Sequence, residues 1–140
     1  MAERIARHRA DRRLRAPGLV TVEAWEALDR ELTRRSNAQR LVIVDCLTLW
    51  LTQLMLPLHA SAGFAVDARD AVDSLVTAAT TAPGPLIFVS NEIGLGVAPL
   101  SSEARSFVDA LGKLHQAIAA ISDRVTLMVA GCEWPIRSAP

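Results

Sequence analysis

The segment Arg4-Ile-Ala-Arg-His8-Arg9-Ala10-Asp11-Arg12-Arg13 places one imidazole among five guanidinium groups. Guanidinium grips phosphate oxygens bidentately, so an arginine cluster suits a phosphorylated ligand. The surrounding positive charge favours a neutral imidazole at His8. A neutral imidazole beside bound phosphate is suited to attack a nucleotide phosphorus, giving a phosphoramidate. Taken by itself, the same pattern is more often a solvated helix face carrying an exposed histidine.

A second set of candidates consists of carboxylates that end aliphatic runs. Asp45 follows Leu41-Val-Ile-Val. A carboxylate there is a common device for holding Mg²⁺ through water beside nucleotide phosphates, and equally a structural cap. Thr48 and Thr52 lie within about a turn of it and could join such a network. Leu86-Ile-Phe-Val runs into Ser90-Asn91-Glu92, then Gly94 and Gly96. Asn91 and Glu92 are a candidate site loop, in which Glu92 is either an active-site carboxylate or a loop residue bonded to nearby backbone. The glycines are expected to permit positive φ and close approach to a ligand, although a lone GxG is weak. His59 and His115 read as structural, and Trp25, Trp50 and Trp134 as core or rim packing. No spacing supports a Ser-His-Asp or Cys-His arrangement, a HExxH motif or a cysteine zinc site.

These residues need a scaffold. Residues 41–45, 86–90 and 125–130 are nearly continuous apolar runs, as expected of strands buried on both faces of a parallel sheet. Between them lie helical patterns: Trp25, Leu28 and Leu32, then Val66 to Ala79, then Phe107 to Ile121. Asp67 and Ser101 or Ser102 are the expected N-caps of the last two. Alternating strands and helices predict one three-layer α/β domain over residues 1–140. Ligands in such sheets bind beyond the carboxyl ends of strands, here Asp45, Ser90–Glu92 and Gly131-Cys132.

Composition narrows the classes. The 140 residues are 51% hydrophobic with zero formal net charge. The charge is uneven: residues 1–40 hold ten of the fifteen basic residues, all Arg, against six acids. Nucleic acid is a poor partner for this chain, because the remainder is acidic and no aromatics interleave the arginines. Two cysteines, Cys46 and Cys132, form no framework and fit a reducing cytoplasm. The start lacks the apolar segment of a secretory signal, and no stretch is clean enough for a membrane span.

Taken together, several of these features resemble one known family. Arg4-Ile-Ala-Arg-His8-Arg-Ala-Asp-Arg12 is similar to the RIxxHRxxR signature of the adenosylcobinamide kinase/adenosylcobinamide-phosphate guanylyltransferases. Thr21-Val-Glu23 and Val44-Asp-Cys-Leu-Thr-Leu-Trp-Leu51 resemble later family segments. Val89-Ser-Asn-Glu-Ile-Gly-Leu-Gly-Val-Ala-Pro99 resembles VSNEVGxGIVP, and Ala104-Arg105, Phe107, Asp109, Gly112 and Gln116 fit ARxFRDxxGxxNQ. The matches run in order along nearly the whole chain.

The resemblance implies a RecA-like P-loop fold in cobalamin biosynthesis and two reactions. ATP or GTP phosphorylates adenosylcobinamide; GMP then passes from GTP, through a GMP-histidine, to that phosphate. It assigns the covalent role to His8, and nucleotide binding to Arg9, Ala10, Asp11, Arg12, Glu23 and Asp45. It also implies Mg²⁺ at Asp45, a cytoplasmic enzyme and a homotrimer. The family normally carries a first strand and a GxxxxGKS loop ahead of the signature, and this sequence contains no GxxxxGKS. An N-terminally truncated form is therefore expected, with an inactive or partner-dependent nucleotide-binding remnant as the alternative. His115 stands where the family has Asn, and Val108 where it has Arg.

Overall fold

The computed structural model describes residues 7, 10, 11, 14–25, 27–55 and 67–138. Arg7, Ala10, Asp11, Leu14 and Arg15 are helical and exposed. Pro17-Gly18 then makes a turn, closed by the Leu19 amide donating to the Ala16 carbonyl at 3.0 Å.

The first named helix, α1, spans Leu28–Arg35. Asp29 and Glu31 occupy its first turn and Arg34 and Arg35 its last, the arrangement that complements the helix dipole. Hydrogen bonds from Arg34 and Arg35, at 2.8 and 2.7 Å, hold the Glu31 carboxyl below its ordinary value. Leu32 alone turns its side chain fully inward. A tight turn over 37–40 leads into strand β1, Val42–Asp45. Helix α2, Leu47–Met55, follows almost at once. Helix α3 covers Ala68–Thr81, with Asp67 capping it by accepting from the Arg69 amide at 2.8 Å. Strand β2 is Leu86–Val89. Helix α4, Ser102–Ile121, begins at Ser101, whose Oγ accepts from the Ala104 amide at 3.2 Å. Strands β3, Val125–Val129, and β4, Cys132–Arg137, end the fold. Both expected caps are therefore used, and the expected strands form within one residue at each end.

Strands β1 and β2 pair in parallel, with Val42 opposite Leu86, Val44 opposite Phe88 and Asp45 opposite Val89. Helices α1 to α4 lie against one face of this pair. They contribute Leu32, Leu47, Trp50, Leu51, Leu75, Ala78, Leu111, Leu114 and Ile118 to a single apolar cluster with Val44. The other face carries Ile43, Ile87 and Val89, each more than 40% exposed. Among the described residues the domain is thus two layers, and the strands are buried on one face, not the expected three layers with strands buried on both. An apolar run shows that a strand can be covered on two sides; whether partners stand on both sides depends on long-range packing.

The third run also departs from expectation. β3 pairs antiparallel with β4 in a separate hairpin, Val129 opposite Cys132. Ala130 (φ 51°) and Gly131 (φ 78°) form its two-residue turn, since positive φ at both positions matches the twist of the flanking strands. Gly131-Cys132 therefore belongs to a hairpin tip and not to the edge that ends in Asp45. Pro135, which cannot donate to a ladder, is tolerated because β4 is an exposed edge.

One glycine is required by close approach. A Cβ at Gly84 would collide with the Asn37 carbonyl oxygen, and its carbon lies only 2.8 Å away. The Gly84 amide also reaches Ser36 Oγ at 3.3 Å, tying the turn before β2 to the end of α1. Gly84→Ala is expected to lower unfolding free energy by about 1–3 kcal/mol, the usual range for overpacking against rigid backbone. The midpoint of urea denaturation measures it, with Gly18→Ala as the comparison, since nothing lies within 4 Å of a Cβ there.

Candidate functional site

Parallel pairing brings the carboxyl ends of β1 and β2 side by side, Asp45 opposite Val89. Asp45 is exposed, on the open face of the pair. The residues after β2 turn back over the start of α2. Thr48, one residue into α2, lies with its Oγ1 3.0 Å from Ser90 Oγ and accepts the Asn91 amide at 2.9 Å. Asp45, Asn91 and Glu92 are thereby gathered at one edge. Thr52 turns inward along its helix and donates to the Thr48 carbonyl at 2.8 Å. Both threonine hydroxyls are thus engaged with protein groups.

Glu92 is bound on both oxygens. Oε1 accepts the Gly94 amide at 2.6 Å, and Oε2 lies 3.3 Å from Nδ1 of His115. His115 projects from α4 one turn beyond Leu111, and its Nε2 lies 2.7 Å from Ser90 Oγ. This histidine, read from sequence as structural, links the two halves of the site. Nothing in spacing announced it, because Ser90 and His115 are 25 residues apart and meet only through the packing of α4 on α2 and α3. Glu92, Gly94 and His115 border an open cavity of about 340 Å³, with Asp109, Lys113 and Gln116 on the α4 side.

The glycines act differently from expectation. Gly94 and Gly96 take no positive φ; Gly94 instead supplies its amide to Glu92. Between and beyond them Leu95, Val97 and Leu100 are exposed, and Arg105 Nη1 pins the segment by donating to the Pro99 and Leu100 carbonyls at 2.9 and 2.7 Å.

The arginine-rich candidates stand apart in the description. His8, Arg9 and Arg12 lie outside the described residues, as does His59; Ala10 and Asp11 are helical and exposed. Glu23 is exposed in an irregular stretch. Trp50 is buried in the core, whereas Trp25 and Trp134 are about half exposed. No group of three His, Cys, Asp or Glu side chains among the described residues could cage a metal ion. Asp45 does fit Mg²⁺ of the kind that arrives with a nucleotide, since that ion keeps several waters and needs few protein carboxylates. No helix among the described residues is long and apolar enough to cross a membrane.

The sequence matches the family described as cobinamide kinase / cobinamide phosphate guanyltransferase over residues 1–136. It is 42% identical to the bifunctional adenosylcobalamin biosynthesis protein CobP of Pseudomonas aeruginosa, covering all of this chain and 76% of that protein. It is 31% identical to the bifunctional adenosylcobalamin biosynthesis protein CobU of Escherichia coli, over 94% of this chain and 75% of that one. The corresponding protein of Salmonella typhimurium is 30% identical over the same shares. On the family match over residues 1–136 and these identities, the chain belongs to the cobinamide kinase/cobinamide phosphate guanyltransferase family.

Proposed function

We propose that this chain carries out the two reactions of its family in cobalamin biosynthesis. It phosphorylates adenosylcobinamide with ATP or GTP, then transfers GMP from GTP to the product through a GMP-histidine at His8, giving adenosylcobinamide-GDP and pyrophosphate. The observation that carries this reading is the gathering of Asp45, Asn91 and Glu92 at one sheet edge in a chain that the family matches over residues 1–136. Arg9, Ala10, Asp11, Arg12 and Glu23 serve the nucleotide in this reading, and Asp45 orients Mg²⁺ through water. Electrostatic stabilisation of phosphate charge does most of the work in such transfers.

The exposed apolar face of Ile43, Ile87 and Val89 is suited to a second covering layer, as a RecA-like P-loop fold has. It equally favours the second reading, a nucleotide-binding subunit that acts only with a partner. A cytoplasmic homotrimer remains part of the proposal by resemblance.

The deciding assay supplies adenosylcobinamide, GTP and Mg²⁺ and follows adenosylcobinamide phosphate and adenosylcobinamide-GDP by mass spectrometry. Both products are expected, and Asp45→Asn should slow their formation on the order of ten-fold or more. Nucleotide binding with neither product would leave the subunit reading in place of the enzyme.

A further inference from the structure

Hydrogen bonds join the side chains of Thr48, Ser90 and His115, and the far side of the imidazole stands 3.3 Å from the Glu92 carboxylate. The polarity of this series follows from its donors and charges. A bare Nδ1 lone pair 3.3 Å from the Glu92 carboxylate would be repelled by it, so Nδ1 of His115 carries the ring proton. In a neutral imidazole Nε2 is then a bare acceptor, and Ser90 at 2.7 Å must donate to it. Ser90, its proton committed, receives the Thr48 hydroxyl at 3.0 Å. Thr48 in turn receives the Asn91 amide at 2.9 Å. The opposite tautomer would turn the lone pair of Nδ1 on the Glu92 carboxylate. An imidazolium would reverse the two hydroxyls and leave the Thr48 proton with no acceptor within this series.

We propose that His115 is a positioning residue, which as the Nδ1–H tautomer holds the Asn91–Glu92 turn in register with α2 and with Asp45. The apolar cluster does not need it: Leu111, Leu114 and Ile118 anchor α4 by burial. What His115 adds is a fixed orientation of Glu92 at the cavity, where the imidazole and the carboxylate remain 22% and 37% exposed. Oriented neighbours of this kind keep reacting groups within a fraction of an ångström of productive geometry, and their loss is felt as rate. The role in catalysis rests on the function proposed above; the tautomer and the turn geometry do not.

The test uses ¹⁵N-labelled full-length protein, with wild type and variants compared at one pH near 8. The resonance that vanishes in His115→Ala identifies the side chain among the three histidines. The expected spectrum shows Nδ1 protonated and Nε2 bare, with the preference lost in Ser90→Ala. His115→Ala should also shift the Asn91 and Gly94 amides, and Lys113 and Asp109, which border the same cavity, serve as controls for charge effects. In turnover, His115→Ala should lower kcat by roughly ten-fold with KM for GTP within about two-fold. His115→Asn, which keeps a donor near the Nδ1 position, should recover part of the loss. An Nε2–H tautomer in the wild type, or unshifted Asn91 and Gly94 amides, would overturn the proposal. So would unchanged kcat in His115→Ala with an active wild type. A wild type that never turns over would sink the functional reading alone, and the tautomer and amide shifts would still decide this one.

Discussion

Replacing His8 by alanine is expected to abolish covalent labelling of the protein by GTP carrying a label in its α-phosphate. In the proposed mechanism the His8 imidazole is the group that attacks phosphorus. A phosphoramidate is hydrolysed by acid and survives alkali, whereas esters on serine or threonine show the reverse. The wild-type label should therefore be lost on brief acid treatment, and His8→Ala should show none. Formation of adenosylcobinamide-GDP should fall by on the order of 10³-fold or more, the usual consequence of deleting a covalent nucleophile. Phosphorylation of adenosylcobinamide does not pass through that adduct and should persist in the same variant. Acid-labile label in His8→Ala would move the nucleophile elsewhere and remove the central residue of the proposed mechanism.

The second large effect is on stability, at Leu51. Its side chain is fully buried on α2, within a cluster to which all four helices contribute. Leu51→Ala removes three carbons where neighbours from α3 and α4 cannot easily collapse. A loss of about 2–5 kcal/mol is expected, a large share of the roughly 5–15 kcal/mol that holds an ordinary domain folded. Urea denaturation followed by far-UV circular dichroism measures it. Leu49→Ala, two residues away and 54% exposed, should change stability by no more than about 0.5 kcal/mol. The contrast matters for the site, because α2 carries Thr48 and so holds the turn after β2 in place. A comparable loss at both positions would mean that the helix faces are not packed as described.

The sequence by itself determined most of the local elements and the family. Strands ended at Asp45 and Val89 because β-branched runs stop where polar residues begin, and Asp67 and Ser101 capped helices because their oxygens satisfy free amides in the first turn. These are short-range effects, legible from a few neighbouring residues. The order of motifs from Arg4 to Gln116 likewise placed the chain in its family, since that information is one-dimensional.

Only the tertiary structure decided how the elements share faces. Val125–Val129 has the same aliphatic character as Val42–Asp45, yet it enters an antiparallel hairpin, because Ala130 and Gly131 turn the chain back on itself. The outer faces of Ile43 and Ile87 read as buried and are open, because coverage is supplied by distant segments. Helix α2 was not read from its nine residues, where continuous apolarity hides the helical period that α4 displays over twenty. Asp45, Asn91 and Glu92 were legible as strand-end residues. The fourth participant, His115, was not: a histidine on a helix acquires a role only when packing delivers Ser90 and Glu92 to its two nitrogens. Hydrogen-bond partners 25 residues apart are set by the packing of α4 against α2 and α3, and no local rule encodes that packing.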